Sequence, residues 1–136
     1  MNERCAICNC ILHRKAGTYA RPTVDGRSHA TRHHHVAERF FGRSANRSGT
    51  KTEGIFAECP WEHEKKTVIF CYECHEELLH NPVMLPDDLA AFAEIVKARR
   101  LNEDEKPQDR GKIAGRVKLL HEILALGLAS FKKERS

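Results

Sequence analysis

The sequence has few aromatic residues, no long apolar run and no segment with the order of a secretory signal. Aromatic residues make up 7% and charged residues 31% of the 136 residues, so apolar burial alone supports only a modest core. No apolar run approaches the ~20 residues that span a bilayer, and the N-terminus lacks a basic stretch followed by an apolar one. We therefore expect a cytoplasmic protein with no membrane contact, stabilised by something besides apolar packing.

Cysteine is the residue type that stands out, with six in the chain. In a reducing compartment, thiols spaced as Cys-x-x-Cys indicate metal binding rather than disulfides. Two such pairs are present, at Cys5 and Cys8 and at Cys71 and Cys74. Together they predict a structural Zn²⁺ site with four thiolate ligands. Cys10 is the alternative to Cys8, and Cys59 is interpreted as a buried thiol at a turn.

The second cysteine pair leads directly into a predicted short helix. A β-branched and aromatic segment, 67–70, predicts a buried strand that delivers Cys71 to the metal. His75 follows the pair in the first turn of the helix, and Leu78 and Leu79 give this helix an apolar side. The predicted zinc site is therefore expected to determine the direction of the His75 side chain.

Three adjacent histidines, His33, His34 and His35, form the second unusual feature. Neighbouring side chains on a strand point to opposite faces, so all three cannot serve one purpose. Imidazole binds metal ions and protons near neutral pH. A metal-related site and a neutral surface cluster are the two interpretations of this segment.

The histidine pair His34-His35, the two cysteine knuckles and His75 together resemble the HNH endonuclease family, in its zinc-stapled subtype. The resemblance covers about residues 5–80. It implies a ββα-metal fold, in which a hairpin carrying a His-His pair faces a helix with a further metal-binding histidine. The expected fold class is α+β, with an HNH-like domain over 1–85 stapled by the four-cysteine zinc site and a helical C-terminal appendage over 86–136.

The resemblance implies a role for each residue at a matching position. His34 takes the place of a ligand to the catalytic ion, and His35 that of the general base. His75 takes the place of the helix ligand, and His80 that of a further ligand, although it follows His75 by five residues where an α-helix prefers four. The implied catalytic ion is Mg²⁺, Mn²⁺, Ni²⁺ or Zn²⁺, in addition to the structural Zn²⁺.

The sequence departs from the family pattern at the middle position. Family members usually carry Asn nine residues before the helix histidine, and this chain has Lys66 there. Asn46 or His63 would replace it by a different loop path, and His63 is the preferred substitute because it closely precedes the strand. With that substitution, the resemblance implies hydrolysis of phosphodiester bonds in DNA by a histidine base and one divalent ion.

Charge is distributed unevenly along the chain. Residues 1–52 contain ten Lys or Arg against three acids, and the remaining residues contain thirteen against sixteen. A basic half favours a polyanionic partner, here double-stranded DNA. The predicted nucleic-acid contacts are Arg32, Arg39, Arg43, Arg47 and Lys51. A solvated basic surface is the other interpretation of the same charges.

The sequence is also compatible with two functions from other classes. One is a zinc-stapled module that binds nucleic acid without cutting it, which Lys66 at the usual Asn position favours. The other is a metal-sensing or metal-storing protein built on the histidine triplet.

Beyond Pro82 the sequence predicts two amphipathic helices. The first covers about 87–101, and a charged linker over 102–112 separates it from a long helix that begins at Ile113. The apolar positions of the long helix recur every three or four residues on one side. We expect the first helix to cover this side, and a homodimer through the C-terminal helices would bury what is left.

Overall fold

Strand β3 (Arg27–His34) is the centre of the sheet in the computed structural model, which describes residues 2–42, 54–106 and 110–134. The other strands are β1 (Leu12–His13), β2 (Thr23–Val24) and β4 (Thr67–Cys71). The helices are α1 (Pro86–Ala98) and α2 (Gly111–Glu134), with a 3₁₀ turn at Glu38–Phe41 and a π-helix at Glu73–Leu79, hereafter the knuckle helix. The chain is therefore a small α+β protein, as predicted.

The two halves of β3 pair with different partners. Its first residues pair with β1 in parallel and with β2 in an antiparallel hairpin. Asp25 and Gly26 join the hairpin, and both have positive φ, 51° and 75°, as a type I′ turn requires. The second half pairs antiparallel with β4, from Ala30 opposite Cys71 to His34 opposite Thr67. The histidine segment is thereby held beside the strand that carries the second cysteine pair.

The hydrophobic core of the sheet is small and rich in sulfur. Its buried members are Cys5, Leu12, Ala30, Phe70, Cys71 and Cys74. Half of these residues are cysteines, so apolar carbon supplies only part of the packing. A small core of this kind needs an additional source of stability, such as a metal ion.

A buried hydroxyl joins β3 to the start of the knuckle helix. Ser28 Oγ donates to Glu73 Oε1 at 2.5 Å and accepts from the Tyr72 N–H at 3.2 Å. Ser28 itself is buried. The side chain therefore bonds both residues between Cys71 and Cys74 to the central strand.

Replacing Ser28 by Ala is expected to lower the free energy of unfolding by about 1–3 kcal/mol, because it removes two partly buried hydrogen bonds, one of them to a carboxylate. Chemical denaturation of the zinc-loaded protein measures this change. Thr18→Ala is the matched control, since Thr18 donates to the Lys15 carbonyl oxygen at an exposed turn and surface changes stay within about 0.5 kcal/mol. Equal destabilisation by both substitutions would contradict the role given to Ser28.

The segment that follows α1 contacts α2. Leu101 packs where Gly115 leaves room, because a Cβ at that glycine would lie 2.6 Å from Leu101 Cδ2. Arg99 pairs with Glu122 at 2.9 Å. Within the described parts of the chain, neither helix has the length and apolar character needed to cross a membrane. The division at 85/86 stays a prediction.

Candidate functional site

Four cysteines from the two ends of the domain meet in one cluster. The sulfur atoms of Cys5, Cys8, Cys71 and Cys74 all lie within 4.8 Å of one another. The first pair reaches β4 because the Ala6 N–H donates to the Ile69 carbonyl oxygen at 3.1 Å. The cluster of cysteines predicted from the two Cys-x-x-Cys pairs is confirmed.

The geometry of the cluster fits a tetrahedral zinc ion. Sulfur ligands at about 2.3 Å from Zn²⁺ lie about 3.8 Å apart, and Cys8 Sγ lies 3.8 Å from Cys71 Sγ. Burial raises the pKa of the Cys71 thiol and of the Cys74 thiol, so a cation is needed to hold both as thiolates at neutral pH. This donor set can therefore hold a structural metal ion.

The two remaining cysteines lie outside the cluster. Cys10 packs against the core, where burial and the neighbouring Cys8 raise its pKa to about 12. Cys59 Sγ donates to the Trp61 carbonyl oxygen at 3.0 Å. The structure thus places Cys8 rather than Cys10 among the four thiols.

A second group of potential ligands lies beside the knuckle helix. Nitrogen atoms of His33, His75 and His80 are within 4.8 Å of one another. The ring centroids of His75 and His80 are 4.6 Å apart, and those of His33 and His75 are 5.1 Å apart. Three imidazoles converging in this way form a donor set suited to a transition-metal ion.

The winding of the knuckle helix explains how His80 joins this group. Residues five apart face each other poorly in an α-helix, but the segment Glu73–Leu79 is wound as a π-helix, in which hydrogen bonds join residues five apart. His75 and His80 therefore lie on the same side. The π-helix therefore accommodates the five-residue spacing of His75 and His80, which an α-helix would not. Such π-helical turns are frequent at functional sites.

Burial favours the neutral form of His33 and of His75. It lowers the pKa of His33 and of His75, and the charge of neighbouring imidazoles lowers each pKa further. His75 Nδ1 is buried and has no hydrogen-bond partner among the described residues. Neutral imidazole is the form that binds a metal, so both rings are prepared to act as ligands near neutral pH.

The Glu76 carboxylate lies beside the two helix histidines. Its Oε2 lies 3.3 Å from His80 Nδ1, and its Oε1 lies 3.6 Å from His75 Nδ1. The Tyr19 hydroxyl donates to Glu76 Oε1, which lowers the pKa of this carboxyl. A carboxylate in this position orients imidazoles and raises their basicity toward a metal.

A cavity of about 810 Å³, hereafter the first cavity, opens over the histidine group. Its polar lining consists of Arg32, His33, His34, Glu38, His75 and His80. His34 Nε2 lies 3.2 Å from Glu38 Oε1. A histidine with its own carboxylate thus lies beside a potential metal site.

His35 and His63 lie together at a different cavity. Their ring centroids are 5.4 Å apart, and both line a more apolar space of about 820 Å³, hereafter the second cavity. Lys66 determines this arrangement through its backbone, because its carbonyl oxygen accepts from the His35 N–H and its N–H donates to the His63 carbonyl oxygen, each at 3.1 Å. His63 is therefore close to His35, while both are separate from the group at His75.

The chain matches no protein-family model, no curated protein and no solved structure.

The structure brings some of the predicted site residues together and separates others. His75 and His80 lie together, and the third nitrogen comes from His33, whereas the resemblance implied His34. Pairing of β3 with β4 explains the difference, because His33 shares a sheet face with Phe70 and its ring centroid lies 5.5 Å from that of Phe70. The alternation of side chains along the strand was the one sequence signal that separates His33 from His34.

The predicted nucleic-acid contacts are described in part. Arg32 is exposed and lines the first cavity. Arg43, Arg47 and Lys51 lie outside the described residues, as does the side chain of Arg39. Their contacts with nucleic acid stay predictions.

Proposed function

We propose that the protein is a metal-dependent endonuclease that hydrolyses phosphodiester bonds in DNA. The observation that carries the proposal is the convergence of His33, His75 and His80 in a cavity that His34 also lines. Metal ligands and a potential base thereby share one open space, as hydrolysis of a phosphodiester requires.

The order of elements around this cavity supports an HNH-like assignment. Antiparallel strands β3 and β4 are followed by the knuckle helix, which is the strand–strand–helix order of a ββα-metal fold. The helix contributes two imidazoles and the hairpin one. The cysteine cluster at the start of the knuckle helix would hold Zn²⁺ and keep these elements in register.

We assign the base to His34 and the ligands to His33, His75 and His80. A divalent ion, once bound, supplies positive charge for the scissile phosphate and the departing oxygen. His34 Nε2 faces Glu38, which leaves Nδ1 to take a proton from the attacking water. Glu38 then stabilises the imidazolium that forms, as a carboxylate does beside a catalytic histidine.

Arg32 supports an anionic substrate. Its exposed side chain lies at the same cavity as the histidine group, where a guanidinium can pair with the non-bridging oxygens of a phosphate. The surplus of basic residues in 1–52 favours a long polyanion over a small phosphate ester. Double-stranded DNA is the substrate we propose.

A nucleic-acid-binding module without catalysis is the second candidate. Lys66 favours it, because this residue stands at the usual Asn position and contacts His35 and His63 through its backbone. Such a module would shift DNA on a gel without nicking it under any divalent ion.

Nicking of supercoiled plasmid tests the proposal. We expect the zinc-loaded chain to nick DNA with Mg²⁺, Mn²⁺, Ni²⁺ or added Zn²⁺, and His75→Ala to abolish nicking while DNA binding persists. His121→Ala is the matched control, since His121 lies on α2 and lines the second cavity. Equal nicking by the wild type and His75→Ala would refute the proposal, and gel shifts without nicking would favour the binding module.

A further inference from the structure

Helix α2 carries an exposed apolar stripe along one side. At 100° per residue, its members fall within one arc; they are Leu120, Ile123, Leu124, Gly127, Leu128 and Phe131, hereafter the α2 stripe. Phe131 is 72% exposed, Leu128 63% and Leu124 59%. The first helix α1, predicted to cover this side, leaves these side chains in solvent.

The size of the α2 stripe suits a protein interface. With about 150–200 Å² for each fully exposed large side chain, it presents roughly 500 Å² of apolar surface. A patch of this size lies toward the upper end of the roughly 300–600 Å² that the largest apolar patch of a monomer covers, and such patches are often functional. A standard interface buries about 800 Å² on each partner, which the stripe and its polar margins together approach.

Gly127 lies near the middle of the α2 stripe. No atom of the described part of the chain lies within 4 Å of the position that a Cβ would occupy there, so packing among these residues does not require a glycine. Glycine weakens a helix interior relative to alanine. A small residue at the centre of an apolar stripe instead permits close approach of a second helix.

The second cavity lies next to the α2 stripe. Leu120 and Leu124 belong to both, and across the cavity the Trp61 ring lies 5.4 Å from the His121 ring, centroid to centroid. Two antiparallel α2 helices related by a two-fold axis at Gly127 would place Phe131 of one copy opposite position 123 of the other. The most exposed side chain of the stripe then lies at the mouth of the cavity.

We propose that a second copy of this chain covers the α2 stripe. The two α2 helices run antiparallel and cross at Gly127, and Phe131 of each copy enters the second cavity of the other. Phe131 and the second cavity lie on the same chain. One two-fold axis therefore places Phe131 of each copy in the second cavity of the other, as an isologous dimer requires. This assembly does not depend on the proposed nuclease activity.

Sedimentation of the full zinc-loaded chain over a range of concentrations tests the dimer. We expect a mass twice that of the 15.5 kDa chain at micromolar concentration. Phe131→Asp should give a monomer with unchanged helix content. Leu126→Asp is the matched control, since Leu126 is 65% exposed but lies roughly 130° around the helix from the centre of the stripe, and it should stay dimeric.

Two further measurements test the geometry. Gly127→Leu should raise the dimer dissociation constant at least tenfold without loss of helix content, because the side chain has space in the monomer and blocks the crossing. Trp61 is the only tryptophan of the chain, so its emission should shift to shorter wavelength on dimerisation and fail to shift in Phe131→Asp.

Several results would overturn the proposal. A wild-type monomer at all concentrations would do so, including one that sediments with phosphatidylcholine–phosphatidylglycerol vesicles or binds another protein through the stripe. If Leu126→Asp disrupted the dimer as strongly as Phe131→Asp, the α2 stripe would be excluded as the dimer interface. A dimer whose formation leaves Trp61 emission unchanged would exclude insertion of Phe131 into the cavity.

Discussion

Cys71→Ser is expected to unfold the sheet and to abolish binding of the zinc ion that the four clustered cysteines can hold. Cys71 is the most deeply buried of the four clustered thiols, and it terminates the strand that pairs with the histidine segment. Binding of structural zinc contributes about 10–16 kcal/mol in small metal domains, whereas whole domains are stable by about 5–15 kcal/mol. Loss of the ion therefore removes stability comparable to that of the entire domain.

Circular dichroism and zinc stoichiometry measure this effect directly. The wild type should carry one tightly bound zinc per chain and lose its cooperative melting transition on treatment with a strong chelator. Cys59→Ser makes the same chemical change outside the cluster and should retain both zinc and melting temperature. If Cys71→Ser kept its zinc and its melting transition, or if a reductant alone unfolded the wild type, the thiolate cluster would not be what stabilises the fold.

Alanine substitutions at the three consecutive histidines are expected to give three different results. On the proposed assignment, His34→Ala lowers the nicking rate by about 10²–10⁴-fold, the usual contribution of a general base, with little change in metal affinity. His33→Ala removes a ligand and weakens binding of the catalytic ion. His35→Ala changes nicking by less than about tenfold, since its ring lies at the second cavity beside His63.

Single-turnover nicking and metal titration, performed on the same three variants, separate these effects. Zinc at the cysteine cluster should be equal in all of them, which controls for misfolding. A large loss of rate in His35→Ala together with a small loss in His34→Ala would restore the assignment made from the sequence, with His35 as the base and His34 as a ligand.

Local patterns in the sequence predict the metal-binding half of the structure well. The strand at β4 and the following helix depend on contiguous residues, and the cysteine cluster depends on two Cys-x-x-Cys pairs whose spacing marks both as metal ligands, so spacing and propensity suffice to predict them. The turn at Asp25-Gly26 in the β2–β3 hairpin is also a local feature, because it depends on the backbone preferences of two residues.

The choice among His33, His34 and His35 depends on tertiary structure instead. It is set by the register between β3 and β4, and a shift by one residue exchanges the faces of the strand. The sequence shows that adjacent histidines diverge but not which one faces the knuckle helix. Which surface packs against the apolar side of α2 also depends on tertiary structure. Periodicity predicts that α2 has an apolar side but does not identify its partner.

The extra residue between His75 and His80 has a consequence for recognising related sites. A search pattern written for an α-helix would require three intervening residues and would pass over this pair, which has four. The π-helical winding makes both spacings structurally equivalent, since each returns the second imidazole to the side of the first. Aligning chains of the two kinds therefore requires a one-residue gap inside the helix, at a point where alignments normally forbid one.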